Sequence, residues 1–63
     1  MYHLLVYFSG ETVPVATIHT PRASEILGLI PKLLAEHDGC EHIVVMGDTV
    51  RLFSVDCHGN RMP

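Results

Sequence analysis

The sequence predicts a small α+β domain of the ββαββ class, in which one amphipathic helix covers one face of a four-stranded antiparallel sheet. A chain of 63 residues is long enough for one domain only. Two pairs of short segments rich in β-branched and aromatic residues each enclose a glycine-containing turn, which is typical of β-hairpins. A segment with apolar residues at helical spacing separates the two pairs.

The first predicted hairpin consists of residues 2–8 and 13–19, joined by a turn at residues 9–11. Pro14 has no N–H group to donate to a neighbouring strand, so we expect the second strand at the edge of the sheet. The first and third strands are the most uniformly apolar and are therefore expected at the centre. The predicted strand order is 2-1-3-4, with a parallel pairing of the second and third strands as the alternative.

The predicted helix begins at Thr20-Pro21 and ends at Asp38-Gly39. Thr20 can accept a hydrogen bond from a free backbone N–H, Pro21 suits the first helical position, and Gly39 suits a left-handed C-terminal cap. Pro31 interrupts the backbone hydrogen bonds, but the apolar stripe keeps its phase across it, so we expect one kinked helix rather than two. The stripe consists of Ala23, Ile26, Leu27, Ile30, Leu33 and Leu34.

The second predicted hairpin consists of residues 41–46 and 49–56, with Gly47 and Asp48 as its two-residue loop. We therefore place a single ββαββ domain at residues 1–56. Residues 57–63 are expected to form a frayed C-terminal tail.

Both faces of the predicted sheet are apolar, whereas a solvated sheet face alternates towards polar residues. A helix of about 16 residues is about 24 Å long and covers only one face. With the loop at residues 47–48, the face expected under the helix carries Ile43, Val45, Val50 and Leu52. The face expected to stay uncovered carries His42, Val44, Met46, Arg51, Phe53 and Val55. In the first hairpin, Leu4, Val6, Phe8, Val13 and Val15 share one side, and Leu5, Tyr7, Ala16 and Ile18 share the other.

The uncovered apolar face predicts a homodimer in which two copies pack sheet against sheet. A chain of this size buries little surface by itself, so burial against a second copy would matter for its stability. We predict a non-enzymatic accessory or regulatory module that acts through protein contacts. A different protein partner and a monomer that tolerates the patch are alternatives. The predicted interface residues are Val44, Met46, Arg51, Phe53 and Val55, joined by Leu4, Val6 and Phe8.

Composition argues against several other classes of protein. Hydrophobic residues make up 48% of the chain, which argues against disorder, and no apolar run approaches the ~18 residues of a membrane span. The apolar stretch at residues 4–8 has no Lys or Arg before it, so we expect no signal peptide and a cytoplasmic protein. Four Lys and Arg residues oppose seven Asp and Glu, so nucleic-acid binding by a sheet-based dimer is a second alternative only.

Five histidines and two cysteines are the one unusual feature of the composition. Thiolate and imidazole groups suit zinc, but the paired spacing of known zinc modules is missing. We interpret both cysteines as free thiols and expect no metal or other cofactor. Asp56, Cys57 and His58 are contiguous in the chain. Neighbouring residues on an extended strand point to opposite faces, which is a poor arrangement for proton transfer between them, so we assign no catalytic residue. The alternative zinc site would consist of His37, Cys40, His42 and Cys57.

Overall fold

The computed structural model describes residues 1–62 and contains one antiparallel sheet with the strand order β2-β1-β3-β4. One helix, α1, lies between β2 and β3 in the chain. The ββαββ class and the predicted strand order are both confirmed. The elements are β1 (Tyr2–Tyr7), β2 (Ala16–Thr20), α1 (Ile26–Glu36), β3 (His42–Gly47) and β4 (Val50–Asp56).

The edge strand β2 is shorter than predicted: it begins at Ala16, after Pro14, and not at residue 13. The proline therefore precedes the strand and takes no ladder position. Antiparallel pairing places Leu4 opposite Ile18 and Val6 opposite Ala16. The predicted separation of Ala16 and Ile18 from Leu4 and Val6 is wrong, since the connection after β1 is longer than a tight turn and changes the register.

The helix begins later than predicted, at Ile26, because residues 23–25 form a single 3-10 turn. The Thr20 hydroxyl contacts both ends of that turn: it accepts a hydrogen bond from the Arg22 N–H at 3.3 Å and donates one to the Glu25 carboxylate. Pro31 lies within one helix, as expected. The chain then turns at Gly39, whose φ of +88° is the left-handed conformation that glycine adopts most readily. Within residues 1–62 no helix combines the length and apolar character that crossing a bilayer requires.

The hydrophobic core lies between α1 and one face of the sheet. The helix contributes side chains at the i, i+4 and i+7 spacing of one stripe, and the strands contribute alternate residues. The helix covers the face that carries Ile43 and Val45, and both side chains are fully buried. The core consists of Leu4, Val6, Ile26, Ile30, Leu33, Cys40, Ile43, Val45 and Val55.

A β-bulge in the second hairpin changes which residues of β4 face the helix. Gly47 pairs with Val50, so the loop is at residues 48–49, one position later than predicted. Met46 pairs with Arg51, but the next pair is Val45 with Phe53. Leu52 is therefore the extra residue of the bulge, and every β4 residue after it changes face relative to a regular ladder.

The bulge makes two predicted interface residues part of the covered side. Val55 is 4% exposed in the core, and Phe53 is half-buried and packs against the core. Their predicted place on the uncovered face is wrong, because the prediction assumed a regular ladder without the extra residue Leu52. Val50 and Leu52, predicted under the helix, are both exposed instead.

The three interface residues predicted from the first strand also lie on the covered side. β1 pairs with β3 so that Leu4 is opposite Val45 and Val6 is opposite Ile43. Leu4 and Val6 are fully buried, and Phe8 packs against the core. These residues cannot form an association surface on the folded chain, since the helix already covers that side.

Residues 57–62 fold back along β4, although this segment was expected to be frayed. The Met62 N–H donates to the Ser54 carbonyl at 2.8 Å, and Arg61 forms an isolated bridge with Val55. Asp56 accepts hydrogen bonds on its carboxylate from the N–H groups of residues 58 and 60. The segment therefore returns beside β4 through an isolated bridge without adding a strand to the sheet, and Pro63 lies outside the described residues.

Candidate association face

The side of the sheet opposite α1, here called the open face, carries three rows of side chains that run across the strands. The rows follow from the pairing register, since residues opposite each other share a face. The middle row consists of Thr17, Leu5, Val44 and Ser54. The first outer row consists of His19, His3, Met46 and Arg51. The second outer row consists of Tyr7, His42 and Asp56.

The centre of the open face is apolar. Leu5 and Val44 are opposite each other on the two central strands, and Met46 lies two residues along from Val44. All three side chains are half-buried, although α1 packs on the other side of the sheet. Neighbouring side chains on the sheet therefore supply this burial.

Aromatic and imidazole rings flank this centre in cross-strand pairs. The His3 and His19 rings meet edge to face, with centroids 4.4 Å apart. The Tyr7 and His42 rings are stacked, with centroids 5.0 Å apart. Such pairs hold the rings in fixed positions and add flat contact area to both ends of the face.

The β4 side of the open face is polar. The Arg51 guanidinium donates a hydrogen bond to the Ser54 hydroxyl, and Ser54 is only 2% exposed. At the other end of β4, the pKa of the Asp56 carboxyl is held below its usual range, chiefly by the backbone N–H groups of residues 60 and 58. A cation and an anion thus mark opposite ends of the same strand.

Three of the eight predicted interface residues, Val44, Met46 and Arg51, lie on the open face. Sequence reasoning missed Leu5 as a member of its apolar centre. Strand alternation already places Leu5 on the face opposite to that of Leu4. Knowledge of the antiparallel register between the first and third strands would then have placed Leu5 beside Val44.

The structure does not bring the four residues of the alternative zinc site together. The His37 ring contacts the Leu33 carbonyl with its Nδ1 at 3.0 Å, and the His42 ring lies on Tyr7. Cys40 is buried in the core, whereas Cys57 is exposed. In the described part of the chain, no three His, Cys, Asp or Glu side chains are placed to hold a metal ion.

Both cysteines are free thiols, as expected. Burial is the main cause that raises the pKa of the Cys40 thiol, and the neighbouring Cys57 and Asp38 raise it further. Cys40 therefore behaves as a small apolar core residue. The Asp56 carboxylate is engaged by backbone N–H groups of the following turn rather than by a His58 ring that could serve as a base.

The chain matches no protein-family model, no curated protein and no solved structure at a significant level.

Proposed function

We propose that the protein is a small non-enzymatic interaction module that forms a homodimer through the open face. The observation that carries the proposal is the apolar centre of that face, formed by Leu5, Val44 and Met46 on the two central strands and on the side away from α1. An apolar patch rimmed by polar groups is typical of a protein interaction site.

The distribution of charge favours a second copy as the occupant. In a dimer with the two open faces in contact, a twofold axis can lie between the sheets, parallel to the middle row. This axis places the middle rows of the two copies over each other and each outer row over the other outer row of the partner. Leu5 and Val44 then meet their own counterparts. The same operation brings Arg51 of each copy over Asp56 of the other, which makes the face self-complementary in charge.

The size of the open face indicates a weak dimer. Four strands ~4.8 Å apart and about six residues long at ~3.3 Å each give a footprint of roughly 380 Å². This area is below the ~800 Å² per partner that is typical of stable complexes. We therefore expect a dimer that dissociates on dilution, as in transient complexes with small interfaces.

Charge substitutions on and off the open face test the proposal. Thr17→Arg adds a large charged side chain beside Leu5 on the edge strand, where the native threonine is exposed, so folding should be retained. Val13→Arg is the matched control, because Val13 is 68% exposed and lies outside all strands. Sedimentation over a concentration series should show a mass approaching twice 7.0 kDa for the wild type and Val13→Arg. Thr17→Arg should remain a monomer.

Two results would contradict a homodimer formed through the open face. A wild-type mass that stays at 7.0 kDa throughout the series would show that the open face does not bind a second copy, and would leave a different protein partner or no partner. Equal dimerisation of Thr17→Arg and Val13→Arg would show that the copies associate through another surface.

A further inference from the structure

A groove lies between α1 and the β4 edge, on the side of the sheet away from the open face. Its volume is about 620 Å³, within the range of ~300–1,000 Å³ that small-molecule sites occupy. Its walls are apolar, and Leu27 on one wall is 75% exposed. The walls consist of Leu27, Ile30, Pro31, Leu34, Phe53 and Val55.

The returning C-terminal segment closes one side of this groove. The Asp56 carboxylate accepts two backbone N–H groups, and Gly59 adopts a φ of +84° in the same turn. A Cβ at Gly59 would lie 3.4 Å from Leu34 Cδ1, so the backbone of the turn packs directly on the helix. The turn directs the chain back along β4 and brings Arg61 to the rim of the groove.

Positive charge is concentrated at this rim. The Arg61 guanidinium lies 5.3 Å from the centroid of the Phe53 ring. A smaller adjoining cavity of about 180 Å³ shares Phe53 and Arg61 with the groove and is also lined by Arg51. Arg61 therefore lines both cavities and Arg51 lines the smaller one, so two of the four Lys and Arg residues of a chain with net charge -3 surround the adjoining cavity.

Acidic side chains are missing from both cavities. Neither lining includes an Asp or Glu, and His58 is the remaining ionisable residue of the larger one. The salt bridges found in residues 1–62 lie elsewhere, between the N-terminus and Asp48 and between Glu41 and His42. The Arg61 guanidinium thus lies at the rim of an apolar groove, and within residues 1–62 no carboxylate lies within salt-bridge distance of it.

We propose that this groove binds a small amphiphilic carboxylate, with its apolar body between Leu27, Leu34 and Phe53 and its carboxylate at Arg61. A guanidinium and a carboxylate form paired, charge-assisted hydrogen bonds, which select an acid over a neutral or cationic analogue. Arg51 adds a second positive charge from the adjoining cavity. The apolar walls and Arg61 are separate from the open face, so binding there does not depend on dimerisation, whereas Arg51 belongs to both surfaces.

Octanoate is a suitable probe, with octylammonium as the cationic analogue of equal length and acetate as the analogue without an apolar body. Titrations followed by two-dimensional NMR should show saturable shifts at Leu27, Leu34 and Phe53 with octanoate. Octylammonium and acetate should produce no saturable shifts there. Equal binding of octanoate and octylammonium would overturn the proposal, as would a lack of saturation by octanoate at millimolar concentration.

Two substitutions separate the charge from the groove itself. Arg61→Gln should weaken octanoate binding about tenfold, since a hydrogen bond to a charged group is lost. Arg22→Gln removes the same charge from an exposed residue outside the groove and should leave binding unchanged. Equal effects of the two variants would show that only the overall charge matters.

Leu27→Glu provides a test that does not depend on Arg61. Leu27 is already exposed on the helix, so glutamate should preserve the fold while placing a negative charge on the groove wall. We expect octanoate binding to be abolished with little change in urea unfolding. Unchanged octanoate binding by a folded Leu27→Glu protein would place the ligand outside the groove.

Discussion

The two faces of the sheet are built from the same strands and both have apolar side chains at their centre, yet they differ in what surrounds them. On the covered face, Leu4 and Val45 are fully buried under α1. On the open face, Leu5 and Val44 are half-buried among cross-strand neighbours. The comparison shows that strand alternation determines which residues share a face, whereas the packing of the helix determines which face becomes the core.

Adjacent leucines on β1 provide the most direct test of this difference. Leu4→Ala should lower the free energy of unfolding by about 3 kcal/mol, because it leaves a cavity in a packed core. Leu5→Ala should cost about 1 kcal/mol or less in dilute solution, since its side chain is only partly buried. Urea unfolding at low protein concentration measures both values. Equal losses would mean that the two faces are packed alike.

Deletion of Leu52 tests whether the bulge is needed to keep Phe53 on the covered face of the sheet. Removing the extra residue leaves Phe53 opposite Val45 in a regular ladder. We expect the fold to be retained, with a smaller loss of stability than for Leu4→Ala, because Leu52 is 46% exposed. Nuclear Overhauser contacts between Phe53 and Val45 report the register. Their disappearance from a folded protein would show that the bulge itself holds Phe53 on the covered face.

The two thiols extend the comparison to chemical reactivity. Cys57 is exposed and should react with a disulfide reagent at the rate of an ordinary thiol. Cys40 is 4% exposed and its pKa is raised, so its modification should require opening of the core. We expect Cys57→Ser to react at least ~100-fold more slowly than Cys40→Ser, given folded proteins. Similar rates for the two variants would contradict the burial of Cys40.

The smallest expected effect concerns the turn that carries Arg61. The pKa of Asp56 is lowered in the folded chain, so its contribution to stability is present above the ordinary value of 3.8 and is lost as the pH falls below that value. Backbone N–H exchange at residues 58 and 60 should therefore accelerate at acidic pH relative to the exchange of β1. Asp56→Asn should exchange faster at neutral pH and lose most of this pH dependence. An identical profile for Asp56→Asn would show that the carboxylate does not hold the turn.

Part of the candidate site could be predicted because it follows from local alternation. Val44, Met46 and Arg51 precede Leu52, so the regular ladder places them correctly relative to one another. Phe53 and Val55 follow the bulge, and the prediction placed them on the wrong face. The bulge carries no glycine that would mark it in the sequence. Leu4 and Val6 were misplaced for a different reason, since the register between β1 and β3 joins segments that are distant in the chain.

The sequence by itself determined the ββαββ order, the single helix across Pro31 and the edge position of β2. These features depend on hydrophobic periodicity within each segment, which acts over a few residues. Only the tertiary structure decided the register of β4 and the return of residues 57–62 along it. Both depend on contacts between distant segments, where one extra residue in a strand exchanges core and surface.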